Sequence, residues 1–128
     1  MRVIIIDDHA LFRDGLKGLL EQRSIDVAGV AADGKEGIEL AKEIQPDIIL
    51  LDLRMPNMGG LDVLPVLRKD LPGIPVVMLT TSNDESDLIK ALRTGAQGYL
   101  LKDMEPDELV GALRDIENGK NVVAADLT

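Results

Sequence analysis

The sequence predicts an α/β protein: a doubly wound parallel sheet of five strands with five helices. Two observations carry the prediction. Short aliphatic runs alternate along the chain with stretches whose apolar residues recur near helical spacing. The third such run, Ile48 to Leu51, is apolar throughout, as in a strand buried on both faces. Right-handed crossovers between successive strands then place helices on both sides of the sheet.

Taken in order, Val3 to Ile6 reads as the first strand and ends in Asp7, Asp8 and His9. A helix follows over Ala10 to Arg23, with Leu11, Phe12, Leu16, Leu19 and Leu20 as its apolar residues. Asp26 to Ala32 is the second strand. Asp33 offers an N-cap and Glu36 stands three residues on, a variant of the capping box, so the second helix opens there. It carries Ile38, Leu40, Ala41 and Ile44, and Pro46 lies just past its end.

The third strand runs from Ile48 to Asp52, and the loop Leu53 to Gly60 leads to a shorter helix over Leu61 to Lys69. Pro65 lies past the first turn of that helix, where it removes a backbone bond and crowds the preceding turn. A late start or a kink is expected. Val76 to Thr80 is the fourth strand. The fourth helix covers Asp84 to Thr94, with Leu88, Ile89, Ala91 and Leu92 expected inward and Gly95 as a left-handed stop. Gly98 to Leu101 is a short fifth strand ending at Lys102. Pro106 suits a first helical position, with Asp107 and Glu108 in the first turn. Leu109, Ala112, Leu113 and Ile116 make that helix's inward stripe, and Gly119 closes it. Lys120 to Thr128 has little pattern and reads as the start of a linker or as a truncation.

With 128 residues the chain suits one domain. It has no Cys, which excludes disulfides and thiolate metal sites and fits a reducing compartment. No apolar run approaches the roughly 20 residues of a membrane span. The first residues do not have the form of a signal peptide, so a cytoplasmic location is expected. The net charge of −9 opposes binding to a phosphate backbone. It suits a site for Mg²⁺ or a surface that meets a basic partner.

Four of the five strands end in a polar residue with chemical use: Asp7 and Asp8, Asp52, Thr80, and Lys102. Ends of parallel strands lie on one edge of the sheet, where ligands of open α/β sheets bind. Three ionised carboxylates brought together repel, so positive charge must offset them. Lys102 supplies one charge, and Mg²⁺ suits a site of few carboxylates and several waters. Each residue alone has a plainer reading, as a helix cap, a turn residue or a solvated Lys. Their convergence is what favours a site. His9 reads as a turn or capping residue. Neither a Gly-rich dinucleotide loop nor a Walker-type phosphate loop is present.

The segments VIIIDDH, IILLDLRMPNMGG, VVMLTTSND and GAQGYLLKD resemble those of the receiver domain of bacterial two-component response regulators. The resemblance covers about residues 2 to 119, and DDH and GYLLKDMEPDEL are similar to the NarL/LuxR subfamily. It implies a flavodoxin-like (CheY-like) fold with strand order 2-1-3-4-5, and a division into a receiver domain, 1–119, and a linker start, 120–128. It implies Asp52 as phosphoacceptor for a sensor histidine kinase. It further implies Mg²⁺ held by Asp8 and Asp52, by Asp7 through a water, and by the backbone carbonyl of Arg54. Lys102 and the Thr80 hydroxyl would bind phosphoryl oxygens, and Thr80 with Tyr99 would form the switch. Arg54, Thr81 and Ser82 would tune the lifetime of the acyl phosphate. The module would turn over no outside substrate. A homodimer is compatible with the family, and DNA binding would need a helix-turn-helix output domain that this chain lacks. Asp103 stands where many receivers have Pro, so a trans peptide is expected after Lys102. Two other readings remain at this point: a Mg²⁺-dependent phosphohydrolase with a nucleophilic Asp, and a degenerate receiver that only docks.

Overall fold

The structure, a computed structural model, describes residues 1–127. Thr128, the last residue of the expected linker, lies outside the described residues. The elements are β1 (Arg2–Ile6), α1 (Ala10–Gln22), β2 (Asp26–Ala31), α2 (Gly34–Ile44), β3 (Ile48–Leu51), α3 (Gly60–Asp70), β4 (Val76–Thr80), α4 (Glu85–Thr94), β5 (Gly98–Leu101), α5 (Pro106–Glu117) and β6 (Val122–Val123). All strands pair in parallel, in the order β2-β1-β3-β4-β5-β6.

The fold class is therefore the expected one, and the sheet is one strand wider. Val122 and Val123 pair with Gly98 and Tyr99 at the edge beside β5. The amide of Ala124 donates to the Tyr99 carbonyl at 2.9 Å, and Ala124 is buried. A two-residue strand is too short to show alternation in a sequence. It forms here because the exposed edge of β5 offers unpaired backbone groups.

Two apolar layers sandwich the sheet. Val3, Ile5, Ile48, Leu50, Val77, Leu79 and Leu100 face α1 and α5. Ile4, Ile6, Ile49, Leu51, Val76, Met78 and Tyr99 face α2, α3 and α4. Alternate residues of each strand thus serve opposite layers, which is why the central runs are apolar throughout. Full burial of one such aliphatic side chain stabilises the fold by roughly 1.5–3 kcal/mol.

Helix ends follow local chemistry. The Asp33 carboxylate accepts from the Glu36 amide at 2.8 Å, and Gln45 ends α2 in the left-handed region at φ 50°. Asp33→Ala is expected to lower stability by about 1 kcal/mol, the usual worth of such a cap, as read by denaturant midpoint. Gly95 stops α4 at φ 106°. Pro106 is the first residue of α5. No cis peptide occurs among the described residues, so the bond after Lys102 is trans.

Two expectations need correction. α3 starts early, at Gly60, and runs through Pro65 to Asp70 without a late start. Pro65 is exposed, so the backbone bond it removes lies toward water and costs less than it would inside. Leu11 is 92% exposed, since it stands on the outer side of the first turn of α1. In α4, Leu88 and Ala91 pack inward as expected, but Ile89 and Leu92 are 39% exposed, and Asp87 is buried in their stead. The helix is rotated so that the Asp87 carboxylate meets the protein at its first turn, beside Leu88.

Candidate functional site

The register of the sheet places the expected residues together. Ile6 pairs with neighbours Ala31 and Leu51, Leu51 with Met78, and Thr80 with Leu101. Backbone bonds continue one step beyond the strand ends. The Asp7 amide donates to the Ala31 carbonyl at 3.0 Å, Asp52 to Ile6 at 2.9 Å, and Lys102 to Thr80 at 2.9 Å. These bonds hold Asp7, Asp52 and Lys102 as firmly as strand residues, so their side chains leave the edge in fixed directions.

Asp7, Asp52 and Thr80 are buried. The Lys102 ammonium lies 2.9 Å from Asp7 Oδ2 and 3.3 Å from Asp52 Oδ2. It also sits 4.4 Å from the centre of the Phe12 ring, whose face attracts a cation. Asp52 Oδ1 accepts from the Leu53 amide at 2.9 Å. Asp52, Arg54, Thr80, Thr81 and Lys102 line one cavity of about 530 Å³, together with His9, Leu11, Phe12 and Asp103. Asp8 lies beside these acids, with a carboxylate oxygen within 4.8 Å of ligand atoms of Asp7, His9 and Asp52. Its Oδ1 is buried and has no hydrogen-bond partner.

Burial, and then the charge of Asp7, raise the pKa of the Asp52 carboxyl above the ordinary carboxylate value, although Lys102 and the Leu53 amide oppose the rise. The unfolded chain ionises at the ordinary value. Ionised Asp52 therefore destabilises the fold at neutral pH, and that cost vanishes once both states are protonated at low pH. Asp52→Asn is accordingly expected to raise the melting temperature at pH 7, by roughly 4 °C for each kcal/mol relieved. The gain should disappear in scans below about pH 3.8, the ordinary value.

Two side chains join the site that sequence reasoning set aside or passed over. His9 occupies the N-cap position of α1 but makes no side-chain cap bond. Its Nδ1 instead lies 3.1 Å from Asp7, 3.3 Å from Asp8 and 3.6 Å from Asp52. Phe12 was read only as an apolar residue of α1, whereas its ring supports Lys102. No spacing rule signals either contact, because both depend on where α1 leaves the sheet edge.

Around the site, Thr80 Oγ1 accepts from the Ser82 amide at 3.1 Å. Tyr99 is fully buried, and its hydroxyl donates to the Ser82 carbonyl at 3.1 Å. Burial raises the pKa of this phenol. The Arg54 guanidinium reaches Asp87 Oδ2 at 2.6 Å. Thr81 is exposed on the rim.

A parallel sheet whose carboxyl edge gathers paired acids, a further buried Asp, a Thr and a Lys defines the receiver class of signalling module. The chain belongs to the response regulator receiver domain family, whose family model matches residues 3–114. It is 46% identical over 127 residues to the nitrate/nitrite response regulator protein NarL of Escherichia coli, covering 98% of this chain and 59% of that protein. It is 42% identical over 129 residues to the transcriptional regulatory protein LnrK of Bacillus subtilis, covering 100% of this chain and 59% of that protein. The chain thus spans about three-fifths of the length of these curated relatives. Its structure is similar to that of a LuxR-family two-component response regulator from Aurantimonas, with a TM-score of 0.94 and 32% identity, covering 98% of this chain and 91% of that one. It is also similar to the isolated receiver domain of RcsB from Salmonella enterica in the presence of phosphomimetic BeF₃⁻, with a TM-score of 0.90 and 27% identity, covering 99% and 95%. The chain is the receiver domain of a NarL/LuxR-type response regulator. Among the described residues no helix is long and apolar enough to cross a membrane.

Proposed function

We propose that Asp52 accepts a phosphoryl group from the phosphohistidine of a sensor kinase and that the new charge switches the surface of the domain. The observation that carries this reading is a buried carboxylate, 3.3 Å from an ammonium, facing an open cavity at the sheet edge. A carboxylate oxygen of Asp52 attacks phosphorus. The P–N bond to the histidine breaks, and the imidazole leaves with its electron pair. Such transfers need positioning and charge neutralisation more than covalent help. Lys102 neutralises phosphoryl oxygens, and the Thr80 hydroxyl donates to one of them. Lys102 is already held by Asp7 and Phe12, so little ordering remains to be done at the moment of transfer.

The donor set fits a hard divalent cation. Ligand atoms of Asp7, Asp8, His9 and Asp52 lie within 4.8 Å of one another, and the buried Asp8 Oδ1 awaits a partner. Asp8, Asp52 and the Arg54 carbonyl would hold Mg²⁺, with Asp7 acting through a water. When bound, Mg²⁺ supplies the further positive charge that the phosphoryl oxygens require.

The charge gained on Asp52 draws the Thr80 hydroxyl toward it, and Tyr99, already buried with its hydroxyl on the Ser82 carbonyl, is held in that inward position. Because Ser82 touches both side chains, the β4–α4 loop moves with Thr80. The altered surface then acts on an output region of the transcription-regulating kind. A homodimer formed through that surface fits this reading, as does a cytoplasmic site of action. The domain acts on itself and on no outside substrate.

Beryllofluoride with Mg²⁺, added to the pure chain, tests the site. Resonances of Thr80, Ser82 and Tyr99 are expected to shift, and chelation of the metal should reverse the shift. Unchanged spectra at saturating beryllofluoride would refute the assignment. Arg54 lines the cavity, and Ser82 bonds to Thr80 and Asp87 beside it. Substitutions at either are expected to alter the dephosphorylation rate by about threefold, or roughly 0.6 kcal/mol in barrier, while leaving the melting temperature nearly unchanged. Equal decay rates across several substitutions at both positions would remove that role.

A further inference from the structure

Four polar or charged residues are buried among the described residues: Asp7, Asp52, Thr80 and Asp87. The first three belong to the acceptor pocket. Asp87 has no part in the chemistry described so far. A carboxylate is withdrawn from water only where partners replace its hydration, and Asp87 has two. Its Oδ2 accepts from Arg54 Nη2 at 2.6 Å and from Ser82 Oγ at 2.7 Å. Its position in the first turn of α4 adds the favourable field of the helix N-terminus.

Both partners lead back to the pocket. Arg54 lines the same cavity as Asp52. Ser82 donates its amide to Thr80 Oγ1 and accepts from the Tyr99 hydroxyl on its carbonyl. One carboxylate on α4 thus lies between the cavity rim and the pair Thr80 and Tyr99.

We propose that Asp87 is a positioning residue that holds Arg54 on the rim and Ser82 beside Thr80, and so shortens the life of the phosphoryl group on Asp52. The inference rests on the function proposed above. A phosphoryl group on Asp52 brings a charge of about −2 into the cavity. It competes with Asp87 for the guanidinium, whose planar fork suits phosphoryl oxygens. While Asp87 keeps Arg54, the phosphorus stays open to water. The water oxygen then attacks phosphorus, the O–P bond to Asp52 breaks, the carboxylate returns, and inorganic phosphate leaves with the proton. Without the Asp87 charge, Arg54 moves over the phosphoryl oxygens and covers that approach. The same competition carries the presence of the phosphoryl group to the start of α4, since Arg54 can serve only one anion fully.

The test is a double-mutant cycle on the decay of labelled acyl phosphate. The chain is charged with acetyl phosphate and Mg²⁺, the donor is removed, and decay is followed for wild type, Asp87→Asn, Arg54→Ala and the double variant. Asp87→Asn is expected to lengthen the lifetime roughly tenfold, the scale of one charge-assisted hydrogen bond. In the Arg54→Ala background it should add no lengthening. A change that is equal in both backgrounds, or absent from both, overturns the inference and leaves the acceptor reading standing. A wild-type chain that takes up no label overturns the acceptor reading instead. A second measurement needs neither label nor a change at Asp87. Arg54→Ala, on the exposed partner, should shift the amide resonances of Ser82 and Asp87 in the unphosphorylated chain. Unmoved resonances there show that Arg54 is not held and also overturn the inference.

Discussion

Asp52→Asn is expected to abolish uptake of phosphoryl label from acetyl phosphate, to below one part in a hundred of wild type. The reason is chemical before it is structural. An amide oxygen bears no full negative charge and cannot form a stable acyl phosphate. Asp7 is also buried, but Lys102 lies against it at 2.9 Å and the His9 amide donates to it at 2.8 Å, so its lone pairs are engaged. Asp8 is the more open acid, with its side chain 25% exposed, and is the residue to watch. Mass spectrometry of the treated variant checks the result. Label retained on Asp8 would show that the acceptor had been misassigned, whereas label nowhere, in a chain that melts above wild type at pH 7, would agree with the raised proton affinity of Asp52.

The largest loss of stability from a small change is expected at Gly60. The α3 N-terminus is pressed against the loop that leaves β3, and the Gly60 amide donates to the Leu53 carbonyl at 2.7 Å. A methyl group at Gly60 would overlap the Asp52 carbonyl oxygen and lie 2.9 Å from the Leu53 Cα. Both are backbone atoms, and no rotamer change relieves them. Gly60→Ala should therefore cost about 3 kcal/mol, at the high end for an overpacked site. It should also slow phosphoryl uptake, because the backbone of Asp52 has to move. Gly111→Ala is the control. It lies on the exposed side of α5 with nothing within 4 Å of the added atom, and a gain of roughly 0.5–1 kcal/mol is expected there. Similar denaturant midpoints for the two variants would contradict the packing argument.

The Gly60 contact shows how far a sequence can be read. The segment from Pro56 to Gly60 is legible as a loop because Pro, Asn and Gly punctuate chains locally. That the last Gly meets the carbonyl of Asp52 is a matter of how α3 docks, and no local rule reports it. The same division runs through the site. Asp7, Asp52, Thr80 and Lys102 are found together because all close a parallel strand, and parallel strands put those ends on one edge. The backbone bonds from Asp7 to Ala31, from Asp52 to Ile6 and from Lys102 to Thr80 are the physical form of that rule.

What the amino-acid order determined by itself was periodic or local: the alternation of strands and helices, the cap at Asp33, the left-handed stop at Gly95, and the strand-end acids. What only the tertiary structure decided was orientation. The apolar spacing of α4 admits Ile89 and Leu92 as inward residues, yet docking turns them out and takes Asp87 in. His9 leans over the carboxylates, and residues 122–123 find the free edge of β5. The edge pairing of residues 122–123 and the bond from Arg54 to Asp87 are settled by partners distant in the chain. A helix has several faces of similar apolar content, and the choice among them rests on the polar groups that must be satisfied when the helix is buried.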